Sequence, residues 1–234
     1  MVAQDFPFSH RLSEFMQYLA SGKLQAGDRL PALSDLSREL GISIATLREQ
    51  LEVARAMGLV EVRPRTGIRV QPYQFKTAVT QSLFYALSTK PDVFTAFADL
   101  RTHIEKSYWY QAVGLLNSED HHELRALVQR AKEKLRGNPV QIPHVEHRLL
   151  HLTIYKRLDN PFVAGLLEAY WEVYEAFGMD LYTDMIYLEQ VWEYHECMVE
   201  AICKHDFNEG YKAMVEHMDM IFLRSNKPIH HTFE

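Results

Sequence analysis

Apolar positions recur at helical spacing along most of the chain, and the interruptions divide it into two blocks. In the first, Leu12, Phe15, Met16 and Leu19 form one stripe, with Ser9 placed as its N-cap. "LQAGDRLPAL" is a turn-rich break. "SDLSREL" predicts a short helix from Ser34, closed by Gly41. "SIATLREQLEVARAMGLV" opens with Ser43 as N-cap and runs to Gly58, burying Leu47, Leu51 and Ala54. "LVEVRPRTGIRVQ" then reads as two β-segments, 59–63 and 67–71, joined by a Pro-Arg-Thr-Gly turn. From Lys76 onward every segment has helical periodicity: 74–88, 91–116, 118–136, 143–158, 161–178, 184–204 and 207–224. The breaks between them fall at Lys90-Pro91, Gly137-Asn138-Pro139, Asn160-Pro161, Gly178 and His205-Asp206.

The predicted architecture is mainly α. Helix, helix, Gly turn, helix and hairpin is the order of a winged helix-turn-helix over residues 1–72. An all-α antiparallel bundle of six to seven helices follows over 76–225, with a tail at 226–234 and a linker at Tyr73 through Phe75. In a winged helix-turn-helix the second helix of the pair presents its N-terminal residues to base edges. Those residues are Ser43, Ile44, Ala45, Thr46 and Arg48. The hairpin tip, Arg63-Pro64-Arg65-Thr66-Gly67, offers two arginines to phosphate or a minor groove.

Charge permits this without requiring it. The formal net charge is −6, yet residues 1–75 carry nine Lys/Arg against eight Asp/Glu, and the remainder sixteen against twenty-three. Nucleic acid is therefore a partner for the first block alone. No apolar run reaches the eighteen residues of a membrane span, since Glu168, Glu172 and Glu175 interrupt the best one. No basic and apolar leader is visible at the start, and Cys197 and Cys203 point to different faces of one helix. A reduced, cytoplasmic setting with no membrane partner is the expectation.

The second block has a polar anomaly. His147 and His151 lie four apart on the apolar face with Leu150, Ile154 and Leu158. His195 shares a stripe with Val191, Trp192, Val199 and Ile202, and His217 shares one with Ala213, Met214 and Ile221. A lone core histidine is ordinarily a hydrogen-bonded core residue. Four on three inward faces would each need a polar partner, and one divalent metal supplies all of them. An i,i+4 pair closed by two facing helices suits chelation, and imidazole-rich sites favour transition metals, zinc or nickel foremost. The other histidines read as surface residues.

These segments resemble a known family. "RLP", "DLSRELGIS", "TLREQL" and "GLVEVRPRTG" are similar in order and spacing to the DNA-binding domain of GntR-type bacterial transcription regulators. The resemblance implies contacts to DNA from Arg29, Ser34, Ser43, Ile44, Thr46, Arg48, Arg65, Thr66 and Gly67. Two positions depart from the family. Leu33-Ser34 stands where Glu-Arg is usual, and Ile44 where Arg is usual. Each lost guanidinium should alter discrimination by about 1–3 kcal/mol, so operator identity does not carry over.

Residues 76–225 resemble the FCD domain of the FadR branch. His151 with Asn160-Pro161, His195 with Ala201-Ile202 and Asp206, and then His217 fit its metal-site pattern. His147 stands where that pattern has aspartate. The implied set is His147, His151, His195 and His217, the alternative being a tripod without His147. "DLRTHIE" fits the family's Leu-Arg-x-x-x-Glu, whose arginine faces an effector pocket. Arg101 and Glu105 are thereby effector-binding candidates, and Tyr155 joins them among aromatics able to line a pocket. The implied protein is a homodimeric repressor of double-stranded operator DNA responding to a small carboxylate. The rival readings are a metal sensor and a helical-bundle metalloenzyme. The di-iron signature Glu-x-x-His is absent at every candidate histidine.

Overall fold

A computed structural model of the chain describes residues 11–176 and 184–225. It divides into two compact units, residues 1–81 and 82–234.

The first unit contains α1 (Glu14–Ala20), α2 (Leu33–Leu40), α3 (Ile44–Ala56), β1 (Val60–Arg63) and β2 (Gly67–Val70). Ser9 lies outside the described residues; the cap of α1 is Ser13, which accepts from the Met16 N–H. Gly41 closes α2 with φ 68°, a conformation that costs an L side chain about 1–2 kcal/mol. Ser43 caps α3 as expected, accepting from the Thr46 N–H. Phe15, Leu30, Leu36, Leu47, Leu51, Ala54, Val60 and Ile68 form one core. The break at Gly27-Asp28 does more than turn. Gly27 N donates to Val70 O, Val70 N to Asp28 O and Leu30 N to Ile68 O, laying residues 27–30 alongside β2. Buried Leu30 holds the segment there. It carries too few residues for alternation to reveal a strand.

The second unit is helical. Its helices are α4 (Phe75–Thr89, begun in the first unit), α5 (Val93–Gly114), α6 (Ser118–Arg136), α7 (His144–Tyr155), α8 (Pro161–Ala176), α9 (Met185–Cys203) and α10 (Phe207–Ser225). Their starts are fixed by side chains. Asn117 and Asp120 form a capping box on α6, and Asp184 accepts from the Ile186 and Tyr187 N–H groups on α9. Asn160 accepts from Phe162 and Val163 at α8, and Asp206 from Glu209 at α10. The Asn-Pro and Asp of the sequence pattern thus set the start, and so the phase, of α8 and α10. α10 packs on α9 and α5, α6 on α7 and α9, and α7 on α5 and α8. The described residues form no helix long and apolar enough to cross a membrane.

Candidate metal centre and nucleic-acid interface

Phase along three helices brings the four histidines together. α7 turns Leu150, His151 and Ile154 inward, α9 turns Val191, Trp192, His195 and Val199, and α10 turns Ala213, Met214, His217 and Met218. His195 and His217 are fully buried and His151 is 1% exposed. His147 is only partly exposed, with its Nε2 buried. Ring centroids of His195 and His217 stand 4.2 Å apart, and those of His147 and His195 4.8 Å. One ligand atom from each of the four lies within 4.8 Å of the others.

The donor set fits a transition metal. Nε2 of His147, Nδ1 of His195 and both nitrogens of His217 are buried without a hydrogen-bond partner. Such groups cost about 1–3 kcal/mol each when left unmade. Nε2 of His151 and Nε2 of His195 are 3.2 Å apart, close to the edge of about 3.3 Å in a tetrahedron of metal–nitrogen bonds near 2.0–2.1 Å. Burial above all holds all four well below the usual imidazole range, helped by Arg101 at every ring and by neighbouring histidines at His147, His195 and His217. Neutral rings are the form a metal takes.

A buried ion pair stands behind the rings on α5. Arg101 is 2% exposed and Glu105 fully buried; Arg101 Nε donates to Glu105 Oε1 at 2.9 Å. Arg101 Nη2 and Glu105 Oε2 both approach His151 Nδ1, at 2.8 and 3.2 Å. Burial works against the guanidinium, but Glu105 together with Tyr170 and Tyr155 outweighs it and holds Arg101 above its ordinary value. The Glu105 carboxyl is held above its own, because burial outweighs Arg101. Trp171 packs 4.7 Å from His147 and 5.2 Å from His151.

The structure therefore joins Arg101 and Glu105 to the histidines. Tyr155 is tied to the same region: its hydroxyl donates to the Glu105 carbonyl at 2.9 Å and lies 3.5 Å from Met214 Sδ, bracing α7 on α5 and α10. The sequence reading missed that Glu105 backs His151. The signal was present, since Phe97, Arg101, Glu105 and Trp109 share one inward stripe of α5.

In the first unit the candidate DNA residues are arranged on a surface. Ser34, Ser43, Ile44, Thr46 and Arg48 are exposed, Ile44 by 41%. Ser43 Oγ and Thr46 Oγ1 lie 2.9 Å apart. Both hydroxyls take part in the cap, beside exposed Ile44. Arg65 sits at the hairpin tip with φ 67°, beside exposed Thr66, and Gly67 has φ 87°. Arg29 crosses Gly67 so closely that a Cβ there would meet its Nε at 3.0 Å.

Residues 96–220 match the FCD domain, and residues 14–70 match the bacterial regulatory proteins of the gntR family. The chain is 26% identical over 206 residues to YieP of Escherichia coli (strain K12), described as an uncharacterized HTH-type transcriptional regulator. That match spans 84% of this chain and 86% of that protein. It is 26% identical over 211 residues to the Uxu operon regulator of Haemophilus influenzae, spanning 88% of this chain and 76% of that protein. Streptococcus agalactiae GntR shares the fold, with a TM-score of 0.63 at 18% identity, over 96% of this chain and 100% of that one. The chain belongs to the GntR family of bacterial regulatory proteins, with an FCD domain following its winged helix: a DNA-binding transcriptional regulator rather than an enzyme.

Proposed function

We propose that this regulator is a homodimeric, cytoplasmic repressor whose FCD domain holds one zinc or nickel ion on His147, His151, His195 and His217, and whose operator affinity changes when a small carboxylate binds there. One observation carries the reading: four imidazoles on three helices converge, with buried nitrogens that have no partner. The bound metal would supply an uncompensated positive charge, since no carboxylate belongs to the ligand set. The chain's own residues do the rest. Arg101 stands beside His151 as a guanidinium able to pair with a carboxylate. Trp171 and the packed helices around it exclude water, which strengthens those contacts. At the DNA, Arg48 offers base recognition, Ile44 an apolar contact, and Arg29, Arg65, Thr66 and Gly67 a wing contact, from two copies on two half-sites.

A second reading makes the metal itself the signal, and one feature favours it. The crevice at His147, lined also by Ile142, His144, Tyr174 and Trp192, has a volume of about 20 Å³. That is room for one water molecule and not for a metabolite. Both readings are tested by fluorescence anisotropy on a duplex selected from a random library, using chelated and zinc-loaded protein with and without added carboxylates. A change of affinity requiring both zinc and an organic acid supports the effector reading, and a change on chelation alone supports the metal reading. Absence of DNA binding at low salt in every state contradicts both.

A further inference from the structure

Two interactions meet at Nδ1 of His151 and demand opposite tautomers. Arg101 Nη2 lies 2.8 Å away, and a guanidinium can only donate. For that bond Nδ1 must present its lone pair, so the neutral ring carries its proton on Nε2. Nε2 is the nitrogen that faces His195 Nε2 at 3.2 Å, inside the histidine cluster. A metal bound there needs the Nε2 lone pair, which puts the proton on Nδ1. An acceptor is waiting: Glu105 Oε2, 3.2 Å from Nδ1, is buried and has no hydrogen bond of its own. In that state, however, the Nδ1–H and the Arg101 Nη2–H confront each other as two donors.

We propose that His151 is a tautomeric gate by which metal occupancy frees Arg101 to hold an anion. Without metal, Arg101 donates to Nδ1 and the ring keeps its proton on Nε2. When metal takes the Nε2 lone pair, the ring loses the Nε2 proton and gains one at Nδ1, with no net change in its charge or proton count. The proton stays on Nδ1, which donates a hydrogen bond to Glu105 Oε2, while Oε1 keeps its bond from Arg101 Nε. The Nη2 donor of Arg101 is then displaced from the ring without a partner. A second buried donor without a partner lies nearby: Nε1–H of Trp171, whose ring is 5.2 Å from His151 and 5.1 Å from the Arg101 guanidinium carbon. Two such donors beside a cation suit a small oxyanion, a carboxylate above all. The anion site is therefore made by the metal, and the order of binding is metal first. The proposal rests on the metal centre proposed above.

The test uses the full chain with 15N-labelled histidine rings, in which long-range proton–nitrogen correlations report which nitrogen carries the proton. Each of the four rings is assigned by the signals lost in its own variant, His147→Gln, His151→Gln, His195→Gln and His217→Gln, and the wild type is read before and after one equivalent of Zn²⁺. The expected result is Nε2–H in zinc-free protein and Nδ1–H in zinc-loaded protein. An Nδ1–H ring already present without zinc overturns the gate. So does an unchanged His151 when the other three rings respond, while the metal centre survives. No response from any of the four rings overturns both. Acetate serves as the probe anion. Calorimetry should find it bound by zinc-loaded protein about tenfold or more tightly than by the Arg101→Lys variant in zinc, as expected for loss of a charge-assisted pair. Equal affinities overturn the role given to Arg101.

Discussion

Lowering the pH of metal-free protein should unfold the helical domain in proportion to the number of buried neutral histidines. His147, His151, His195 and His217 are held well below the ordinary imidazole value, burial being the largest cause. Their unfolded counterparts take up protons near pH 6.5. The unfolded state therefore binds more protons than the native state below that point, so stability rises with pH and is lost as pH falls through about 6.5. Between about pH 7.5 and 5.5 each such ring costs about 1.4 kcal/mol, and four together about 5 kcal/mol. That is a large share of the roughly 5–15 kcal/mol that stabilises a domain. Trp109, Trp171 and Trp192, the only tryptophans, all lie in the second unit, so their fluorescence during urea unfolding follows this domain alone. His195→Leu places an apolar side chain among Val191, Trp192 and Val199 and removes one proton from the count. Its stability should fall about 1.4 kcal/mol less than that of the wild type over the same interval. Parallel pH curves for the two proteins would mean that the His195 ring is protonated in the native state, and would refute the reasoning.

Four further outcomes follow from particular contacts. Arg101→Met or Glu105→Gln alone leaves a buried group without its partner and should cost about 3–5 kcal/mol, whereas the double variant should recover much of the loss. Urea midpoints of the three variants check this, and equal losses contradict it. Gly210→Ala places a Cβ 2.9 Å from buried Trp109, whose Nε1 donates to the Phe207 carbonyl; overpacking there should cost about 1–3 kcal/mol in the same assay. At the DNA surface, Arg48→Ala should weaken the preferred sequence over others by about 1–3 kcal/mol. Arg65→Gly relieves a strained φ, leaves thermal stability intact or higher, and lowers affinity evenly across sequences, with a shallower salt dependence. Anisotropy titrations at several salt concentrations separate the two behaviours.

What was legible in the sequence was periodic. The histidines of α7, α9 and α10 could be placed inward because each replaces an apolar residue in a stripe long enough to fix its phase. Ser43 and Gly41 announced the helix-turn-helix by side-chain capping and by a left-handed backbone. Single contacts were not legible. The Arg101–Glu105 pair had the inward spacing of α5, but nothing local says that both side chains reach His151, fifty residues beyond Arg101 in the chain. Nor does the sequence say that the Tyr155 hydroxyl donates to the α5 backbone. Residues 27–30 run alongside β2 through backbone bonds that leave almost no trace in side-chain pattern.

The central claim is a metal held by four imidazoles with no carboxylate. Zinc-edge X-ray absorption of the stoichiometrically loaded protein, beside a His147→Ala variant, tests it most directly. The account predicts one zinc per chain, four imidazole nitrogens in the wild type, and three with one oxygen in the variant. An unchanged spectrum in the variant, or zinc bound through a carboxylate, would contradict it.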